Sequence, residues 1–87
     1  MELTFYYRSS CSSCRKLSAT LDQIIEERKL AIRSICAEKE DALGIMYVPL
    51  VIISYGGSEV GRFTSALSKS VIDNYLDELQ QYIDDYL

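Results

Sequence analysis

The 87-residue chain has no histidine and no tryptophan. Without an imidazole, histidine-based acid–base catalysis is excluded, and so are the common mixed Cys/His zinc sites. With only one proline and four glycines, the chain lacks the composition of a disordered or fibrous protein. Basic runs are missing too, and at a net charge of −4 nothing follows a phosphate backbone, so no nucleic-acid partner is expected. The longest nearly uncharged stretch, Leu43 to Ser58, is interrupted by Pro49 and Gly56-Gly57. It falls short of the roughly 18–20 apolar residues of a membrane span, so no membrane association is expected. The opening Met-Glu-Leu-Thr-Phe-Tyr-Tyr has neither a basic n-region nor a small-residue cleavage site, and a cytoplasmic location is expected.

What is present is the balance of a globular protein, with 48% hydrophobic and 25% charged residues. The length allows one domain, residues 1–87, with a thin core in which nearly every apolar stretch is used. Leu3 to Tyr7 is a run of β-branched and aromatic residues that suits a buried strand. From Ser12 onward, Cys14, Leu17, Leu21, Ile24 and Ile25 fall at steps of three and four, which predicts a helix to about Lys29. Ala31 to Cys36 returns as a strand, completing a βαβ unit with parallel strands. Glu38 to Ile45 reads as a short helix, and Leu50 to Tyr55 and Glu59 to Phe63 as strands joined by a tight turn at Gly56-Gly57. Val71, Ile72, Tyr75, Leu76, Leu79, Tyr82 and Ile83 mark a last amphipathic helix, capped by Ser68 and acidic along its outer face. The order is βαβαββα, an α/β fold.

Three cysteines carry the chemistry. Cys11-Ser12-Ser13-Cys14 is a CxxC, which by itself fits a redox pair, half of a metal site or two unrelated thiols. A zinc site wants four ligands, and one pair plus a distant Cys36 does not supply them, so no metal is expected. The pair lies where a strand opens into a helix. Cys11 then stands at the helix N-terminus, where unpaired N–H groups and the positive end of the helix dipole stabilise a thiolate, which makes it the nucleophile. Cys14, one turn on and at the start of the apolar stripe, faces inward and becomes the resolving thiol. Arg8, Arg15 and Lys16 add positive charge around the pair. Cys36 reads as a small buried hydrophobe.

With these residues the chain resembles the thioredoxin superfamily over almost its whole length. Tyr7-Arg8-Ser9-Ser10-Cys11-Ser12-Ser13-Cys14 is similar to the glutaredoxin approach to the active site, and the chain is of glutaredoxin size. Leu43-Gly44-Ile45-Met46-Tyr47-Val48-Pro49 and Ala66-Leu67-Ser68-Lys69 resemble thioredoxin segments. The resemblance implies a thioredoxin fold, with a four-stranded mixed sheet in the order 2-1-3-4 flanked by helices. It also implies that Pro49 is a cis-proline facing the CxxC, with the Val48 backbone open to an extended substrate. The chain departs from both families in what surrounds these motifs. Phe5 stands where thioredoxins carry a buried aspartate, and Phe63-Thr64-Ser65-Ala66 replaces the Gly-Gly and nearby Asp with which glutaredoxins hold glutathione.

The expected activity is thiol–disulfide exchange on protein disulfides, thioredoxin-like, through Cys11 and Cys14 and with no bound cofactor. Arg8, Tyr47, Val48 and Pro49 form the expected substrate rim, although Tyr47 also fits an ordinary surface aromatic. The expected reductant is a thioredoxin-reductase-like flavoenzyme or glutathione, and a monomer is expected. One alternative is a glutathione-dependent glutaredoxin; another is a non-catalytic thioredoxin-fold binding subunit.

Overall fold

Leu3 and Phe5 on the first strand and Val51 and Ile53 on a later one are buried, while Thr4 and Ile52 between them are partly exposed. This two-residue alternation gives the sheet one deeply buried face. The computed structural model describes residues 1–37 and 47–87. Its elements run β1 (Glu2–Tyr7), α1 (Ser12–Arg28), β2 (Ala31–Cys36), β3 (Leu50–Tyr55), β4 (Ser58–Thr64) and α2 (Lys69–Tyr86). The short helix expected over Glu38 to Ile45 lies outside the described residues.

The four strands form one sheet in the order β2-β1-β3-β4, as the sequence led us to expect. β1 and β2 are parallel with Tyr7 opposite Cys36, β1 and β3 are antiparallel with Tyr6 opposite Leu50, and β3 and β4 are antiparallel. Gly56 and Gly57 make the β3–β4 turn at φ +60° and +85°, both in the region that glycine adopts without steric cost.

α1 and α2 pack together against the buried face. Cys14, Leu17, Leu21 and Ile24 from α1 meet Ile72, Leu76 and Leu79 from α2 over Leu3, Phe5, Val51, Ile53 and Phe63. Each buried Leu or Ile contributes about 1.5–3 kcal/mol, so the helical spacing in the sequence fixes which side of each helix faces the sheet. Ser68 caps α2, its side chain accepting from the Val71 N–H. At the far end of α1, Arg28 donates to Asp73 at 3.0 Å and Asp77 at 2.9 Å, and Lys69 donates to Glu27 at 2.9 Å and Asp73 at 2.8 Å. These bonds hold the C-terminus of α1 against the first turns of α2.

Candidate active site

β1 ends at Tyr7 and the chain turns through Ser9 and Ser10 into α1, with the Cys11 N–H donating to the Arg8 carbonyl at 3.3 Å. Cys11 is the residue that caps α1. Its backbone is extended (φ −99°, ψ 110°), and its sulfur accepts the Cys14 N–H at 3.0 Å. A sulfur here takes the place that a Ser or Asp oxygen fills at an ordinary helix start. It therefore occupies the spot where unpaired amide groups and the helix dipole favour negative charge.

The two thiols differ in environment. Cys11 is half-buried, whereas Cys14 is 3% exposed and sits in the core cluster. Burial, and then a hydrogen bond to the Cys11 side chain, push the Cys14 thiol up to about 11, against the lowering effect of an Arg8 backbone hydrogen bond and the Arg8 charge. Cys14 thus holds its proton at neutral pH. Cys11, Cys14 and Cys36 are all free thiols in this structure.

Sheet register brings other segments to the same end. Tyr6 lies opposite Leu50, so the residues leading into β3 stand beside the end of β1 from which the chain enters Cys11. The Val48–Pro49 bond there is cis. Tyr47 is 71% exposed, Val48 half-buried and Pro49 buried, so the rim residues offer a substrate very different amounts of surface. Cys36, opposite Tyr7 on β2, also lies at this end. It is half-buried rather than buried, because β2 is an edge of the sheet among the described residues.

A cavity of about 340 Å³ opens beside Cys14, lined by Phe5, Tyr7, Arg8, Ser9, Cys14, Arg15, Ser18 and Ser34. It lies between α1 and the β1–β2 pair, whereas Pro49 approaches β1 from the β3 side. Phe5 and Tyr7 stack at 5.7 Å to form its apolar wall. The Arg15 guanidinium reaches back to the Ser9 carbonyl at 3.5 Å. Sequence reasoning found Arg8 and Arg15 as nearby cations but not the cavity. Ser18 carried the available signal: it lies one turn beyond Cys14 on α1. Ser34, on a strand distant in sequence, carried none.

Among the described residues, no three His, Cys, Asp or Glu side chains are grouped to hold a metal ion. Nor is any helix among them long and apolar enough to cross a membrane.

No protein-family model and no curated protein sequence matches the chain. Solved structures do. Thioredoxin 1 from the thermophilic eubacterium Thermosipho africanus superposes with a TM-score of 0.82 at 20% identity, over 97% of this chain and 99% of that one. A malarial protein superposes with a TM-score of 0.77 at 12% identity, over 87% of this chain and 92% of that one. The fold is the thioredoxin fold, as the sequence resemblance implied.

Proposed function

We propose that the chain is a dithiol–disulfide oxidoreductase that reduces protein disulfides through Cys11 and Cys14. The observation that carries this reading is the Cys14 N–H donating to the Cys11 sulfur at 3.0 Å at the start of α1. A thiolate on Cys11 keeps a hydrogen bond and the helix dipole, and the residue, only half-buried, can meet a substrate disulfide.

In the forward reaction the Cys11 thiolate attacks one sulfur of the substrate disulfide. A mixed disulfide forms and the other substrate sulfur leaves as thiolate. Cys14 then attacks the Cys11 sulfur, the bond to substrate breaks, and the products are the reduced substrate and an internal Cys11–Cys14 disulfide. The substrate chain lies along Tyr47 and Val48 beside Pro49, with Arg8 at the edge of the pair. The reductant that restores the dithiol is a thioredoxin-reductase-like flavoenzyme in preference to glutathione.

Insulin reduction with dithiothreitol tests this reading. Accelerated precipitation of the insulin B chain, lost in Cys11→Ser, supports it. Turnover of a glutathione mixed disulfide with no effect on insulin moves the chain to a glutaredoxin-type activity, and silence in both assays leaves a binding subunit.

A further inference from the structure

Among the described residues β4 pairs with β3 alone, so its other side is an edge of the sheet. Residues of an antiparallel strand turn their N–H and C=O groups alternately toward the neighbouring strand and away from it. At Arg62 both groups meet the same atom of α2. The Arg62 N–H donates to the Tyr75 hydroxyl at 3.2 Å, and that hydroxyl donates to the Arg62 carbonyl at 3.4 Å. An outward pair left open in this position is a template for a further strand.

The phenol reaches the edge through a gap in the strand. Tyr75 packs edge-on against Phe63 with ring centroids 6.3 Å apart, and a β-carbon on Gly61 would collide with its hydroxyl. Glycine inside a strand weakens it and often marks a close approach. Unlike Gly56 and Gly57, Gly61 has no positive φ that would call for glycine. The side chain it lacks is the space that the Tyr75 hydroxyl fills.

Other edge protections do not cover Arg62. The β3–β4 register shifts between Ile53 and Ser54, and such an irregularity spoils an edge locally, but Arg62 lies in the regular stretch beyond it. Charge is a second common protection. Here the Arg62 guanidinium is turned to Glu59 on its own strand and neutralised by it.

We propose that the Tyr75 hydroxyl closes the β4 edge, occupying the Arg62 N–H and C=O so that a second copy of the chain cannot add its own β4 there. Without the hydroxyl, two copies pair β4 against β4, antiparallel, about a twofold axis. The inference uses neither Cys11 nor Cys14 and does not depend on their chemistry.

Tyr75→Phe keeps the ring against Phe63 and removes only the hydroxyl. Parent and variant are held reduced with dithiothreitol, so that no intermolecular disulfide counts as association, and are compared from micromolar to millimolar concentration. In sedimentation equilibrium the parent remains a monomer and the variant becomes a dimer as concentration rises. Amide exchange followed by nuclear magnetic resonance locates the contact. In dilute variant the Arg62 amide exchanges about tenfold faster than in the parent, having lost a hydrogen bond, and in concentrated variant its protection returns. A variant that stays monomeric overturns the inference, as does a dimer in which the Arg62 amide remains unprotected, because association then uses another surface. The parent supplies a test that needs no variant: an Arg62 amide exchanging at the rate of an unstructured chain would show that the hydroxyl does not hold it.

Discussion

The backbone N–H of Cys14 points at the sulfur of Cys11, 3.0 Å away, so each cysteine of the pair defines the other's surroundings. Cys11 gains a donor and a helix terminus; Cys14 gains burial. Under the proposed exchange reading, unequal roles are expected. Cys11→Ser is expected to cut disulfide reduction by at least about 10³-fold, because the nucleophile itself is gone. Cys14→Ser is expected to accumulate a mixed disulfide with substrate, because attack proceeds and resolution does not. Mass spectrometry of the trapped species checks the assignment, and trapping through Cys14 in a Cys11 variant would reverse it.

Burial of Cys14 also sets a stability change in alkali. Its thiol is pushed up to about 11, above the roughly 8.5 of a free cysteine. Between those values the unfolded chain has released the proton and the folded chain still holds it. Fewer protons are bound in the unfolded state, so stability falls as pH rises through this window, by up to about 1.4 kcal/mol per pH unit. Urea titrations of the reduced protein from pH 8 to 11 should show the decline. Reduced Cys14→Ala, although less stable at neutral pH, should show a shallower one.

How far the sequence reached depends on the distance over which each feature is encoded. α1 and α2 were legible because Cys14, Leu17, Leu21, Ile24 and Ile72, Leu76, Leu79 repeat at helical spacing, and the turn because two adjacent glycines stand between apolar runs. The CxxC was legible because its two members and its helix are contiguous. The sheet order came from the family resemblance and the structure bears it out. The cavity was not legible, since it depends on Ser34 of β2 facing Ser18 and Cys14 of α1, a pairing that no local pattern records. The half-exposure of Cys36 escaped for the same kind of reason: edge position belongs to the assembled sheet.

Gly61 shows a similar dependence on tertiary packing. A β-carbon at this position would collide with the Tyr75 hydroxyl and lie 2.9 Å from Leu79 Cδ1. The Tyr75 hydroxyl also accepts the Arg62 N–H at 3.2 Å, so it cannot move away without losing that bond. Gly61→Ala is expected to destabilise the fold by about 1–3 kcal/mol, the cost of overpacking a filled site. Thermal unfolding followed by circular dichroism measures it, and an unchanged midpoint would show that α2 shifts freely over β4.

A second pH effect is expected at the other extreme. The Lys69 hydrogen bond holds the Asp73 carboxyl below the usual aspartate value, against an opposing effect of burial that is next in size, with a weaker contribution from Arg28. As pH falls below about 4, the unfolded chain takes up this proton before the folded one. Stability is therefore full above that pH and declines as pH drops through the lowered value. Asp73→Asn should flatten this acid limb in urea titrations while leaving the alkaline one in place. An acid limb identical to that of the parent would assign the effect to other carboxylates.

The last prediction concerns the electron donor. Glutathione carries two carboxylates that must be matched by cations or backbone donors. In the glutaredoxins that the chain resembles, that donor set lies at the start of the last helix, which is α2 here. There the Ser68 side chain already accepts the Val71 N–H, and the Lys69 ammonium is bound to Glu27 and Asp73 at 2.9 and 2.8 Å. Freeing Lys69 for a ligand means breaking bonds that hold α2 to α1. A protein reductase needs neither group, because it can dock on Tyr47, which is 71% exposed, and reach Cys11, which is only half-buried. Reduction of the Cys11–Cys14 disulfide is therefore expected to be faster with thioredoxin reductase and NADPH than with glutathione poised at the same potential. Tyr47→Ser should slow the enzymatic route and spare the glutathione route. Saturable reduction by glutathione at millimolar concentration, with no response to any thioredoxin reductase, would show that the carboxylates find partners elsewhere and that the docking surface is not used.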